Sequence, residues 1–471
     1  MKARFGIYGL GLVGSNLARN ALGKGLSLAL YNRGAARREA FAAGVPEAAA
    51  ALHPDPAVFV AALAAPRIIL LSISAGPAVD EALASLLPHL EAGDLVADAG
   101  DSFYRDSERR SVALAEAGIA FVGLGLSGGA EGALTGPSFM AGGDEASRLR
   151  LSPILEALAA ISPDGGPCVS WTGPAEAGHY VKMVHNSLAY ADLEILAEAY
   201  HLLKASLRVK PEEMRSLFER WERTEVSSHL LALVVDILGM READGQPFID
   251  RVLDRATQKG TGIRAIESAF ELGAQAATLA EAVFARNLTA LKDERVRASA
   301  LLGEHRSRPN GDPEGLGEDV RRSMLASKII AYAEGFTLLG KAAESHGWRL
   351  DRHAIARAWR AGAMIRSPFI DRVAEAHALD PELPSLLLDA RMKILLDQSL
   401  PSLRRVVARS IESGLPLPLY TAAVCSYDGQ RSSWLPGNLI QALRDRFGGH
   451  GFERVDRPRG EIHHAAWELP G

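Results

Sequence analysis

Short, uninterrupted apolar runs alternate with helical periodicity through the first third of the chain. Arg4-Phe5-Gly6-Ile7-Tyr8 is one such run and ends in glycines; a helical pattern follows from about Val13 to Lys24, and Gly25 is placed to stop it. Leu26 to Tyr31 reads as a second strand. Arg67 to Ile73, Asp94 to Asp98 and Ile119 to Gly123 read as further buried strands, each separated by a helical stretch. Runs of this kind predict a parallel sheet covered by helices on both faces. The character changes near residue 175. From there to about 435 the periodicity is helical almost throughout, as in Val181 to Leu203 and Lys328 to His346, and strand-like runs are absent. Gly303 to Asp319, rich in Gly, Pro, Asp and Arg, reads as a surface loop. From about 436 the chain is rich in Arg, Gly and His and lacks clear periodicity. The pattern thus predicts an α/β region over 1–176, an all-helical region over 177–435 and a tail over 436–471.

Composition narrows the class. With 471 residues, 48% of them hydrophobic and 23% charged, the chain is neither disordered nor fibrous and is long enough for two to four domains. A formal net charge of −5 gives no footprint for nucleic acid or an anionic membrane. No apolar run reaches the ~18–20 residues of a membrane helix. Met1-Lys2-Ala3-Arg4 superficially resembles the start of a signal peptide, but Ser15-Asn16 and Arg19-Asn20 break the apolar stretch behind it. Two cysteines, Cys168 and Cys425, cannot build a disulfide framework; they are expected to pack as small hydrophobes in a reducing compartment. The expectation is a soluble, cytoplasmic protein. His463-His464 has no third ligand at suitable spacing, so no metal is expected. The basic residues of the tail (Arg444, Arg446, Arg454, Arg457, Arg459) are interleaved with Asp445, Glu453, Asp456 and Glu461, which suits a subunit contact better than nucleic acid, and Asp445 is expected to orient Arg444.

Candidate chemistry begins at the first strand. Gly9-Leu10-Gly11-Leu12-Val13-Gly14 fits Gly-x-Gly-x-x-Gly between a strand and a helix, the pattern of a Rossmann dinucleotide site. Its glycines give the tight turn, the close approach of a pyrophosphate and the helix–strand contact. The second strand ends in Asn32-Arg33-Gly34, with Arg37 and Arg38 close behind and no carboxylate. An Arg there suits a 2′-phosphate, so NADP is the expected cofactor and Arg33 its main contact.

Three further clusters suit an anionic ligand. Ser127-Gly128-Gly129 follows a strand and offers a hydroxyl and free amides. Between Gly178 and Tyr190, helical spacing puts Lys182, His185, Asn186, Ala189 and Tyr190 on one face, where a plain core stripe does not carry Lys, His and Asn together. Gln258-Lys259-Gly260-Thr261-Gly262 is the third, with Arg286 on a helix beyond. Ten lysines stand against 42 arginines, so Lys182 and Lys259 are unlike the general run of cations here.

Through these segments the chain resembles the 6-phosphogluconate dehydrogenase family of NADP-dependent, decarboxylating enzymes. The resemblance runs from residue 5 to about 467. It also includes Glu281-Ala282-Val283-Phe284-Ala285-Arg286, Leu291-Lys292-Asp293-Glu294-Arg295, Tyr427-Asp428-Gly429 and Arg444-Asp445-Arg446-Phe447-Gly448-Gly449-His450. It implies a Rossmann domain, a large all-α substrate and dimerisation domain, and a C-terminal tail that reaches the partner subunit of a homodimer. It implies that Lys182 is the general base for the C3 hydroxyl, and that Ser127, Gly128, Gly129, His185 and Asn186 hold the sugar acid. Tyr190, Lys259, Thr261, Arg286 and Arg444 match the 6-phosphate ligands, and His450 matches a tail His that contacts substrate. Ser74, Ala75 and Asp101 fall at cofactor positions, Asp101 also beside substrate.

The departures from the family pattern cluster. Ala189 stands where the family has the Glu that protonates C1 of the enediol after carbon dioxide leaves. Asp101 replaces an Asn, Ser74 a Lys, and Ala130 a Glu, with Glu131 retained. All lie toward the nicotinamide and C1–C3 end, while the phosphate set is intact. Three readings stay open: a decarboxylating dehydrogenase in which water or Asp101 supplies the missing proton, an NADP-linked dehydrogenase of another phosphorylated hydroxy acid, and a non-catalytic binder of NADP or sugar phosphate.

Overall fold

The computed structural model describes residues 2–207, 209–258, 260–303 and 313–467. The chain divides into two units, 1–424 and 425–471.

The first unit opens with eight strands in one sheet: β1 (Phe5–Tyr8), β2 (Leu28–Tyr31), β3 (Leu52–His53), β4 (Ile68–Leu71), β5 (Leu95–Asp98), β6 (Ala120–Ser127), β7 (Ser138–Gly142) and β8 (Val169–Trp171), in the order β3-β2-β1-β4-β5-β6-β7-β8. β1, β2, β4 and β5 are buried along their whole length, as their unbroken apolar runs require. One apolar cluster, around Ile7, Leu30 and Leu70, covers one face of the sheet, and a second, around Tyr8, Phe59 and Leu71, covers the other. The expected parallel sheet holds with one exception: β6 and β7 pair antiparallel, Gly123 opposite Gly142 and Ser127 opposite Ser138. The three strands that the apolar runs did not reveal, β3, β7 and β8, are short or carry Ser and Gly.

β1 has β2 on one side and β4 on the other, so the strand order reverses there and leaves a crevice at the strands' carboxyl ends, where such sheets take their ligands. Gly9 follows β1 and Ser72 follows β4, so Ser74 and Ala75 sit across that crevice from the glycine turn.

The helix α1 (Leu12–Gly23) follows β1, and α2 (Tyr104–Ala115) follows β5. After β8 the described residues carry no further strand. The 33-residue α3 (Ala175–Leu207) begins against the sheet and continues among the helices. Its buried Val181, Val184, Leu188, Ala191 and Ile195 recur three to four residues apart, the stripe of a core helix. α4 (Thr261–Glu271), α5 (Ala277–Ala290), α6 (Lys292–Leu302), α7 (Pro313–His346) and α8 (Ala390–Glu412) are among the helices that follow. Polar clamps tie this bundle. Lys328 Nζ donates to both oxygens of Asp192 at 2.7 and 2.8 Å, and the Tyr332 hydroxyl donates to the same carboxylate at 2.9 Å. Glu198 accepts from the Leu419 and Tyr420 amides, and burial pushes its carboxyl up to about 8.

Four expectations need correction. Residues 304–312 of the expected Gly303–Asp319 loop lie outside the described residues, and α7 has begun by Pro313, a residue suited to a first helical turn. The tail is not aperiodic, because Gly437–Gly448 forms a helix, α9, whose Leu439, Ile440, Leu443 and Phe447 pattern is bracketed by glycines. Cys168 is buried as expected, whereas Cys425 lies on the outward side of its helix and is exposed. Asp445 does not orient Arg444. It accepts from the Gly451 and Ala465 amides, His464 Nδ1 and Trp467 Nε1, and so pins the end of the tail onto α9; Arg444 instead reaches Gln441.

Candidate active site

At the cofactor end, the glycine turn is shaped by backbone contact. Gly9 has φ +110°, and a Cβ there would lie 2.3 Å from the Ser72 carbonyl oxygen; a Cβ at Gly14 would lie 2.1 Å from the Gly9 carbonyl oxygen. At Gly11 a Cβ would meet only the tip of Arg37, which leaves that side of the turn open for a ligand. No side chain caps α1 and its first turn holds no carboxylate, so its amides face the turn unopposed; Leu12 stands exposed and Val13 half-buried beside them. Asn32 is buried, accepts from the Leu10 amide at 3.0 Å and donates to the Gly34 carbonyl. Arg33 is exposed and meets Glu81 at 3.1 Å, and Arg38 donates to the Asn32 carbonyl. Uncapped helix amides together with Arg33, Arg37 and Arg38, and no acid at the end of β2, fit a dinucleotide that carries a 2′-phosphate.

The polar face of α3 meets the loop after β5 and the end of β6. Lys182 is 7% exposed and its Nζ stands 3.8 Å from Asp101 Oδ1. Burial holds the ammonium below its ordinary value, and the Asp101 carboxylate opposes part of that shift. Asn186 Nδ2 donates to the same Asp101 oxygen at 3.4 Å. His185 is fully buried. Burial, and then the Lys182 charge, keep it well below its usual value and therefore neutral. Its Nε2 lies 3.0 Å from Ser127 Oγ and its Nδ1 3.2 Å from Asn186 Oδ1. The Met364 amide donates to Ser127 Oγ. The partners assign one direction to the whole chain: Met364 N–H to Ser127, Ser127 O–H to His185 Nε2, His185 Nδ1–H to Asn186, and Asn186 N–H to Asp101. Ser127 thus spends the hydroxyl expected to be free on locking His185. Gly128, at φ +118°, starts the next helix in a conformation closed to other residues, with Gly129 as its first residue.

A cleft is lined by Asp101, Ser102, Phe103, His179, Lys182, Met183, Asn186, Thr261 and Arg264. Arg264, Phe103 and His179 had not been singled out from sequence. Arg264 follows Thr261 by three positions on α4 and so shares its face, a spacing that could have flagged it; its guanidinium lies 4.1 Å over the Phe103 ring. His179 is buried with both nitrogens used, on the Asp98 carbonyl and Ser107 Oγ. Further along α3, the Arg286 guanidinium sits 3.8 Å over the Tyr190 ring. Beside it burial pushes Glu194 up to about 7, against the pull of Arg286.

The structure therefore brings Asp101, Ser127, Lys182, His185, Asn186 and Thr261 to one place, and Tyr190 to Arg286. Ala189 is half-buried on the same helix face. Lys259 lies outside the described residues. Arg444 and His450 belong to the second unit. No described group of His, Cys, Asp or Glu is arranged to hold a metal, and no described helix is long and apolar enough to cross a membrane.

Comparison with known proteins places this arrangement. The NAD binding domain of 6-phosphogluconate dehydrogenase matches residues 4–173, and the C-terminal domain of 6-phosphogluconate dehydrogenase matches residues 178–467. A Haemophilus influenzae protein named 6-phosphogluconate dehydrogenase, decarboxylating, is 42% identical over 468 residues, covering 99% of this chain and 97% of the relative. The NADP(+)-dependent, decarboxylating 6-phosphogluconate dehydrogenase of Bacillus subtilis is 41% identical, with 99% of both chains covered. The Plasmodium falciparum 6-phosphogluconate dehydrogenase, a structure described in apo form and with NADP+ and 6-phosphogluconate, superposes with a TM-score of 0.94 at 33% identity, covering 98% of this chain and 100% of that one. The glycine turn, the buried lysine on α3 and these full-length likenesses agree: the chain belongs to the 6-phosphogluconate dehydrogenase family.

Proposed function

We propose that the protein oxidises 6-phosphogluconate at its C3 hydroxyl with NADP and decarboxylates the product to ribulose 5-phosphate. The observation that carries this reading is Lys182, a lysine buried in the cleft beside Asn186 and held below its ordinary pKa, as a base for a hydroxyl requires. Bound NADP supplies the hydride acceptor. Lys182 takes the hydroxyl proton from O3. His185, locked neutral between Ser127 and Asn186, and the amides of Gly128 and Gly129 orient the sugar acid. Tyr190, Thr261, Arg286 and Lys259 hold the 6-phosphate, a dianion that calls for several fixed cationic and hydroxyl donors, and the tail of a partner subunit adds its Arg444 to the phosphate and its His450 to the substrate. Gly9, Gly11, Gly14, the α1 amides at Leu12 and Val13, Asn32, Gly34, Ser74 and Ala75 bind the dinucleotide, with Arg33 on the 2′-phosphate.

NADP-coupled spectrophotometry with 6-phosphogluconate, combined with carbon dioxide capture, tests the reading. NADPH and carbon dioxide formed in equal amounts support it. Intact NADP binding without turnover of 6-phosphogluconate overturns it, and turnover of another phosphorylated hydroxy acid then favours the second reading, to which Ala189 and Arg264 lend the altered cleft.

Arg33→Ala is expected to weaken NADP binding by about 10–100-fold, the worth of a charged hydrogen bond, and to leave NAD binding unchanged. Titration of cofactor fluorescence checks both arms. Equal weakening for NAD and NADP would place Arg33 away from the 2′-phosphate.

We also read the protein as a cytoplasmic homodimer with exchanged tails. Phe284, Leu288 and Leu291 at the end of α5 and just beyond it are exposed, as are Val296, Leu301 and Leu302 on α6; so are Leu439, Ile440, Leu443 and Phe447 on α9, an apolar load that suits a subunit contact. Two free thiols suit a reducing compartment.

A further inference from the structure

Decarboxylation of a 3-keto acid creates a demand that base catalysis alone does not meet. When the C1–C2 bond breaks, its electron pair stays on the C2–C3 unit as an enediol, and C2 must then be given a proton. The donor has to stand in the cleft and hold a transferable proton. Of the residues that line it, Asp101, His179, Lys182 and Arg264 carry ionisable groups. Arg264 does not release its proton. His179 has both ring nitrogens engaged, on the Asp98 carbonyl and Ser107. Lys182 is committed to O3. Ala189, on the face shared with Lys182 and Asn186, has nothing to transfer.

We propose that Asp101 is the acid that protonates the carbon left by carbon dioxide, working with Lys182 as a pair that shares one proton. This rests on the functional reading above and names a catalytic residue within it. Asp101 sits in the loop after β5, with its side chain 46% exposed, and both its contacts to α3, Lys182 Nζ at 3.8 Å and Asn186 Nδ2 at 3.4 Å, are made through Oδ1. The hydrogen-bond chain from Met364 through Ser127, His185 and Asn186 ends on that oxygen and holds the carboxylate against the lysine. The charged and titratable groups around it are Lys182, His179 and His185 on α3 and Arg264 on α4, with Asp98 and Arg110 behind the loop, where Arg110 lies 3.7 Å from Asp98. Burial drives Lys182 toward its neutral form, with the Asp101 carboxylate 3.8 Å from its Nζ.

The protons balance over the cycle. The pair enters as neutral Lys182 and protonated Asp101. Lys182 takes the O3 proton while C3 is oxidised and the two electrons leave with its hydride. As the C1–C2 bond breaks and carbon dioxide departs, Lys182 returns its proton to O3 and the enediol forms. The Asp101 O–H bond then breaks as a C2–H bond forms, while Lys182 removes the O3 proton and C3 becomes a ketone again. The pair is left as ammonium and carboxylate, and one proton passing from Nζ to Oδ1 resets it. The O3 proton of the substrate has thereby moved to C2, with no further reactant.

The test compares Asp101→Asn with the natural chain in three measurements. In single turnover, the asparagine variant is expected to form NADPH within severalfold of the natural rate, while release of ribulose 5-phosphate slows by about 10²-fold or more. In D2O, with NADPH bound and no net turnover, exchange of the C1 protons of ribulose 5-phosphate followed by NMR is expected to fall by a similar factor. In the double variant Asp101→Asn/Ala189→Glu, exchange is expected to return. If both steps fall by the same factor, Asp101 acts only through its charge on Lys182 and the proposal is overturned. Unchanged exchange in Asp101→Asn overturns it as well, while leaving C3 oxidation standing. A natural chain that forms no NADPH overturns the functional reading and this proposal with it.

Discussion

Lys182→Met lowers kcat/KM for 6-phosphogluconate by roughly 10²–10⁴-fold, the usual contribution of a positioned base, and leaves NADP affinity unchanged. Methionine keeps most of the unbranched stem that packs in the buried site and removes the nitrogen that accepts the proton. As the proposed base, Lys182 must be neutral to act. Its folded-state pKa lies below the ordinary value of 10.5 because the site is buried, so the single-turnover rate of C3 oxidation, read as NADPH formed, rises as pH climbs through that lowered value and levels off before pH 10.5. The methionine variant loses this rise. Steady-state and single-turnover kinetics across pH, with cofactor titration alongside, measure all three. A variant that keeps its rate, or that loses NADP binding equally, removes Lys182 from the role of base.

Gly178→Ala destabilises the protein by about 3 kcal/mol or more, an overpacking cost at the upper end because nothing around the site is flexible. A Cβ at Gly178 would lie 2.1 Å from the Gly123 carbonyl oxygen, 2.5 Å from the Gly142 amide nitrogen and 2.9 Å from the Met140 carbonyl oxygen, all backbone of β6 and β7. The same seam continues at Gly125, where a Cβ would stand 2.4 Å from the Lys182 Cβ. Gly23→Ala, at the end of α1 with no atom within 4 Å, is the control and should leave stability unchanged or raise it slightly. Denaturant titration of both variants checks the difference, and equal stability would mean that the seam yields.

The half of the fold that positions the cofactor was legible because buried strands are apolar throughout and the glycine turn has a fixed spacing. β3 was not, being two residues long, and neither was β7, whose Ser138 and Gly142 interrupt the apolar signal. α9 carried its pattern in plain view, but an apolar face on a helix bracketed by glycines reads like a tail. Within the site, Lys182, His185, Asn186 and Tyr190 could be grouped because one helix face repeats with a known period. The approach of Asp101 to Lys182 has no such signature: a loop after β5 meets a helix 81 residues later through tertiary packing. Met364, which donates to Ser127 across 237 positions, left no local trace either.

The two matched family regions meet between residues 173 and 178, and α3 begins at Ala175. The border between cofactor-binding and helical regions is therefore the first turn of a continuous helix of roughly 50 Å, fastened to the sheet by glycines. A hinge needs a segment whose backbone angles are free to change, and this border has none. The crevice beyond β1 and β4 and the polar face of α3 consequently travel as one body. Any opening and closing around a ligand is left to segments away from this joint.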